Sequence, residues 1–119
     1  MRILMLSWEY PPQVVGGLGR HVADLSEALA ELGQEVHVLT GDVPGAPSRE
    51  KMNGVDVHSL KMYGPAGRDF VESVIHLNVN MLEAILGLLR QGHIFDIVHS
   101  HDWLAVYAGK ALKHGLMRP

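Results

Sequence analysis

The chain alternates short runs of apolar residues with longer stretches in which apolar residues recur every three or four positions, the pattern of strands followed by amphipathic helices. Arg2 to Ser7 reads as a strand, because Ile3-Leu4-Met5-Leu6 is a short unbroken apolar run that can be buried on both faces. From Gly19 to Leu32, the residues Val22, Leu25, Ala28, Leu29 and Leu32 share one helical face, and Gly33 supplies the stop. Glu35 to Thr40, with Val36, Val38 and Leu39, is a second strand, and Gly41 to Pro47 is a loop. Asn53-Gly54 signals a turn ahead of the alternating Val55-Asp56-Val57-His58-Ser59-Leu60, which predicts a hairpin or a third strand. After Tyr63 to Gly67, a long helix from Asp69 to Arg90 is expected to bury Val71, Val74, Ile75, Asn78, Leu82, Ile85, Leu86 and Leu89, with Gly92 ending it. Ile94 to His99 is the next strand. A further helix starts at His101 and runs to Lys113, with Asp102 near its N-terminus, where a carboxylate suits the dipole. Strands alternating with helices call for an α/β, three-layer Rossmann-like domain with a mainly parallel sheet.

Composition narrows the function. At 119 residues and 47% hydrophobic the chain can bury one ordinary core. Charged residues are 19% and the net charge is -3, so no basic field draws it to nucleic acid or to an acidic membrane surface. The absence of cysteine excludes disulfides, thiolate metal sites and cysteine nucleophiles, and points to a reducing, cytoplasmic location. The first apolar run is broken by Trp8-Glu9-Tyr10-Pro11-Pro12, too early for a signal peptide or a membrane span.

The chemistry concentrates at two places. The first strand opens into Ser7-Trp8-Glu9-Tyr10-Pro11-Pro12 and then Val15-Gly16-Gly17-Leu18-Gly19-Arg20-His21. The prolines hold the loop extended, and the glycines let bare backbone N–H groups approach an anion at the helix start, an anchor for a phosphorylated ligand. Such glycines also serve as plain turns. A dinucleotide site is a third reading, since Gly17-Leu18-Gly19-Arg20-His21-Val22 nearly spells the fingerprint and Asp42 follows the second strand. Val22 in place of the third glycine, and the long loop before the glycines, oppose it. No Gly-Lys-Ser/Thr follows, so this is not a P-loop.

The second place is Phe95-Asp96-Ile97-Val98-His99-Ser100-His101-Asp102-Trp103-Leu104. His99 and His101 would lie on the same side of a strand, a spacing open to zinc, but no third ligand stands nearby in the sequence and no metal is expected. His99 reads as a packing residue at the strand end. His101 stands at the carboxyl end of its strand, where open α/β sheets place their ligands. Asp102 and Trp103 read as a helix-start carboxylate and a packing aromatic. His21, in the first turn of its helix, could reach the same cleft but reads as a solvated surface group. His37 and His58 are expected to face outward, and His76, His93 and His114 receive no role.

By residues and order, both segments resemble the GT-B glycosyltransferases, in particular the glycogen and starch synthase-like branch, and the resemblance covers essentially the whole chain. It implies that residues 1–119 are the N-terminal Rossmann-like domain, one half of a GT-B fold, truncated before the domain that supplies most donor-nucleotide contacts. It further implies transfer of a glucosyl-type sugar, with retention, from a nucleotide-diphosphate sugar to a glucan or other saccharide acceptor. No cofactor or metal is then required. Gly16 and Gly17 would sit against the donor diphosphate and His101 would contact the donor sugar as the catalytic residue, while Glu9 and Tyr10, in the loop over the sheet's carboxyl edge, would meet the acceptor. Two positions depart from the starch synthase pattern, Val14 for a lysine and Arg20 for an acidic residue, which leaves the donor open. The alternative is a stand-alone α/β nucleotide-binding or assembly module without catalysis. A domain cut at Pro119 is expected to carry an unpaired sheet edge and to self-associate.

Overall fold

The computed structural model describes residues 1–14, 16–42, 45–60 and 69–119; the break expected at Tyr63 to Gly67 lies outside them. The elements in order are β1 (Arg2–Leu6), α1 (Gly17–Glu31), β2 (Glu35–Thr40), β3 (Arg49–Met52), β4 (Val55–Ser59), α2 (Phe70–Arg90), β5 (Ile97–Ser100), a short 3₁₀ turn at Trp103–Ala105, and α3 (Val106–Leu116). The sheet order is β3-β4-β2-β1-β5. β1 pairs in parallel with β2 and with β5, and β2 pairs in parallel with β4. Only β3 runs antiparallel, as the outer arm of a hairpin with β4. Asn53 and Gly54 both take positive φ, 50° and 83°, the backbone that a two-residue hairpin turn demands and that Asn-Gly tolerates best.

Alternation along the strands divides the core in two. Leu4 and Leu6 of β1, with Leu39 and Leu60, pack under Leu77, Met81, Ile85 and Leu88 of α2 and Ala108 and Leu112 of α3. Ile3 and Met5, with Val36, Val38, Val55 and Val57, pack under Val22 and Ala23 of α1. Helices therefore cover both faces of a mostly parallel sheet, the three-layer arrangement the sequence pattern calls for.

α2 is capped by the side chain of Asp69, which accepts from Glu72 N–H. Its buried face differs from the expected one. Val74, Leu77, Asn78, Met81, Ile85 and Leu88 meet the sheet, whereas Val71, Ile75 and Leu86 are exposed. The helix is apolar on two adjacent faces, so periodicity alone does not select the one that packs. The second face, with Val71, Ile75, Val79 and Leu82, lines an open apolar groove of about 410 Å³ against Trp103 and Tyr107. Buried Asn78 ties the helices together: its amide donates to the Val74 and Leu104 carbonyls, and its carbonyl accepts from Ala108 N–H.

Three boundaries also move. α1 begins at Gly17, two residues ahead of the expected start, and β5 begins at Ile97, leaving Ile94 exposed before it. After His101 the chain makes the 3₁₀ turn, with Asp102 at φ 70° accepting from Trp103 N–H, before α3 starts. Trp103 is half exposed against the edge of Phe70, so it is not the packing aromatic expected. On the outer side of β5, Val98 N–H donates to the Pro119 carbonyl at 3.0 Å.

Candidate functional site

β1 and β5 are adjacent parallel strands reached by connections that leave β1 in opposite directions, one through α1 to β2 and one returning through α2 to β5. That is a topological switch point, and the crevice beyond its strand ends is where open α/β sheets bind ligands. Both segments singled out in the sequence emerge there.

From β1, Ser7 is held by its N–H on the Leu39 carbonyl, and its hydroxyl donates to the Glu9 carbonyl at 2.7 Å. This fixes the loop as it leaves the sheet. Glu9 is turned inward, 8% exposed, with Oε2 accepting from Gly16 N–H at 3.4 Å. Gly16 is the N-cap of α1 in an extended conformation; as a glycine it brings no capping side chain of its own, and the first turn contains no acidic residue. A Cβ added at Gly16 or Gly17 would meet nothing within 4 Å. The start of α1 thus presents backbone N–H groups and the positive end of the helix dipole on an open approach.

Tyr10 corrects an expectation. Rather than facing an acceptor, it is 1% exposed in the core under α1, its hydroxyl 3.1 Å from Ser26 Oγ. The reason is burial: an aromatic ring three residues past the buried Ser7 gains more from packing on Val22 and Ala23 than from water. Its burial pushes the phenol pKa above the usual value. Glu9 likewise faces the start of α1 instead of open solvent.

From β5, His101 N–H donates to the Leu6 carbonyl, bringing the ring beside the end of β1. The ring is 5% exposed, stacked on His99 at 4.0 Å and edge-on to His21 at 5.8 Å between centroids. His21 lies on α1 just over one turn after Gly17, so about 6 Å of helix rise connects the glycines to the histidine cluster. Burial, reinforced by the neighbouring imidazoles of His99 and His21, pushes the pKa of His101 down to about 4, which keeps it neutral near pH 7. Its Nε2 is buried with no hydrogen-bond partner among the described residues, a polar atom that a ligand oxygen would satisfy.

A hollow of about 390 Å³ is bounded by Trp8 and Gln13 of the loop after β1, Asp42 after β2, and Phe70 and Leu104 among others; the glycines and the histidine cluster do not line it. A larger hollow of about 560 Å³ between β4 and α2 includes none of these site residues.

Sequence reasoning missed Gly19, His37 and His58. Gly19 is the crowded glycine of the loop: a Cβ there would lie 3.0 Å from Val14 Cγ2 and 3.1 Å from Glu9 Cβ. His37 and His58, expected to face outward, are buried on the α2 face, because residues 35, 37 and 39 of an interior strand alternate toward one covered side.

Residues 16–119 match the glycosyl transferase 4-like domain family. Over 114 residues the chain is 36% identical to an uncharacterized glycosyltransferase of Methanocaldococcus jannaschii, an alignment covering 96% of this chain and 28% of that protein. It is 38% identical over 125 residues to a glycogen synthase of Mycobacterium tuberculosis, covering 94% of this chain and 30% of the relative. An alpha-maltose-1-phosphate synthase of Mycolicibacterium smegmatis is 33% identical over 110 residues, covering 92% and 24%. Among solved structures, sucrose-phosphate synthase from Thermosynechococcus elongatus superposes with a TM-score of 0.76 at 24% identity, over 95% of this chain and 30% of that one. The chain spans less than a third of the length of these relatives.

Proposed function

The chain belongs to the glycosyl transferase 4-like domain family, and from that premise we propose that it is the N-terminal part of a retaining glycosyltransferase. The enzyme moves a glucosyl-type sugar from a nucleotide-diphosphate sugar to a glucan or other saccharide acceptor, as the name of the glycogen synthase relative suggests. One observation carries the reading: the start of α1 at Gly16 and Gly17, which leaves open space for a ligand, and the buried Nε2 of His101, without a partner among the described residues, lie at one switch point.

In this reading the donor diphosphate lies on the N–H groups of the first turn of α1, whose dipole stabilises the charge that grows on the leaving group. Neutral His101 offers Nε2 to a hydroxyl of the donor sugar, and His21 closes the same side. The acceptor enters through the hollow bounded by Trp8 and Phe70, whose rings give flat apolar surfaces for a sugar face. Catalysis then rests on positioning and preorganised electrostatics, and the reading calls for no metal at the transfer site.

A cytoplasmic location is part of the proposal. By length and composition α2 could span a membrane, a property that core helices share, and seven of its residues, including Asn78 and Asn80, are buried within the domain.

The test is turnover by the full-length protein with a panel of nucleoside-diphosphate glucoses and glycogen or maltooligosaccharides, following nucleoside diphosphate release and the anomer formed by NMR. The expected result is an α-linked product from an α-linked donor, reduced at least about a hundredfold in His101→Ala. Donor binding without transfer to any saccharide would favour a binding or assembly module instead.

A further inference from the structure

A second polar cluster lies at the opposite end of the strands, on the face covered by α2, and plays no part in the transfer site. His37, fully buried on β2, places Nδ1 2.9 Å from Nε2 of His58 on β4. Its Nε2 is 2.9 Å from Glu35 Oε1 and 3.9 Å from Asp56 Oδ2. His93, in the segment between α2 and β5, sets its ring edge-on to His37 at 5.1 Å and stacks on Phe95. One ligand atom each from Glu35, His37 and His93 lies within 4.8 Å of the others.

We propose that Glu35, His37 and His93 form a binding site for a transition-metal dication of the zinc type. Two imidazoles and one carboxylate oxygen are a borderline donor set, suited to zinc or cobalt; magnesium and calcium ask for more oxygens than this corner offers. The supporting shell is in place. The contact of His37 Nδ1 with His58 fixes the ring and leaves Nε2 facing Glu35 Oε1, as the outer partner of a ligating histidine does. Arg2 Nε holds the other oxygen of Glu35 at 3.2 Å and so orients the carboxylate.

Zinc–ligand bonds of about 2.0–2.2 Å set neighbouring donors roughly 3.0–3.6 Å apart, so the trio must close slightly. Glu35 is exposed and His93 half-buried, and these two can make that adjustment while His37 stays fixed. Water supplies the fourth position on the open side. Nearby charges are largely paired: Arg49 and Lys51 are both engaged with Asp56, and Asp96 accepts from Arg2 N–H at 2.7 Å. Selectivity therefore rests on the donor set, which favours ions that gain from nitrogen ligation. A bound ion would join the start of β2 to the segment entering β5, a structural staple independent of sugar transfer.

Titration of the purified chain with Co²⁺ tests this. The expected result is one equivalent bound, with the visible absorption of a four-coordinate nitrogen-ligated ion, displaced by Zn²⁺, and a higher unfolding midpoint in Zn²⁺ than in EDTA. Because His37 is fully buried and its loss disturbs the core, the decisive variants are His93→Ala and Glu35→Gln, each expected to weaken Co²⁺ binding at least about tenfold. His114→Ala, on exposed α3, serves as the control and should change nothing. Absence of stoichiometric Co²⁺ binding, or binding that survives His93→Ala, would overturn the proposal.

Discussion

Adding one methyl group at Gly17, and separately at Gly19, distinguishes a glycine kept for a ligand from one kept for the protein. At Gly17 the new Cβ meets nothing within 4 Å, and the residue is helical. Gly17→Ala should therefore stabilise the fold by roughly 0.4–1 kcal/mol, because the unfolded chain loses more freedom than the folded one. At Gly19 the Cβ would lie 3.0 Å from Val14 Cγ2, 3.1 Å from Glu9 Cβ and 3.2 Å from Glu9 Oε2. Optimal carbon contacts stand at about 3.5–4.0 Å, so Val14 and the buried Glu9 must both retreat. Overpacking of this kind costs about 1–3 kcal/mol, which outweighs the helix-propensity gain of about 1 kcal/mol and leaves a net loss on the order of 1 kcal/mol. Thermal unfolding of the 119-residue chain reads both signs, since 1 kcal/mol moves the midpoint by about 4 °C in a domain of this size. In the full-length enzyme the order reverses for donor use. Gly17→Ala should raise the donor KM at least about tenfold, because the methyl group occupies the path of the phosphate to the backbone N–H groups. A stabilised Gly17→Ala protein with unchanged donor kinetics would refute the phosphate site and leave a plain turn. Gly19→Ala with wild-type stability would show that the loop yields more easily than its packing implies.

Asn78→Ala should cost about 2–4 kcal/mol in urea unfolding, since it leaves the buried Leu104 carbonyl and Ala108 N–H without their partner; a loss under about 1 kcal/mol would mean water replaces the amide. Tyr10→Phe removes only the hydroxyl contact with Ser26 and should cost about 1 kcal/mol while leaving acceptor KM unchanged, a result that a direct acceptor contact would contradict. Unfolded, a histidine takes up its proton near pH 6.5, but buried His101, facing His99 and His21, does so only at about 4. Its contribution to stability is therefore intact above pH 6.5 and is lost as pH falls toward 4, by roughly 3 kcal/mol at most. Denaturant melts at pH 7.5 and 4.5 should show a smaller difference in His101→Asn, and an unchanged difference would mean that other groups set the acid limit. The exposed face of Val71, Ile75, Val79 and Leu86 should drive self-association of the isolated chain. Light scattering across a dilution series reads this, and a monomer at high concentration with Ile75→Lys unchanged would oppose it.

The sheet and its two coats of helix were legible because interior parallel strands and a sheet-facing helix impose periods that few other arrangements tolerate. What the pattern could not resolve was the choice between two apolar faces of one helix. Val71, Ile75 and Leu86 have the spacing of a core stripe and are exposed, because the neighbouring face of α2 carries Leu77, Met81 and Leu88 and fits the sheet better. The same limit hid His37 and His58. A polar residue within an apolar strand suggests the exposed side only when the sheet has one, and here both sides are covered. Asn53-Gly54 was readable for the opposite reason, since its two positive φ values are a local requirement that names its own residues.

At the transfer site, the residue types were readable and the division of labour among them was not. Three glycines in four positions look alike in the sequence, yet in space two stand open at the helix start and the third is pressed against Glu9. That contact makes the loop and the helix one unit: Ser7 anchors the loop to β2, the loop presents Glu9 to α1, and Gly19 admits the close approach. A carboxylate already sits on the Gly16 N–H, where the dipole favours negative charge. An incoming diphosphate must therefore use the N–H groups beyond it or displace the carboxylate. Either way the donor senses the loop through Glu9, and the loop, through Trp8, borders the hollow assigned to the acceptor. On the proposed reading the segment between β1 and α1 connects the two substrates physically, a coupling that neither its glycines nor Glu9 and Tyr10 reveal in the sequence.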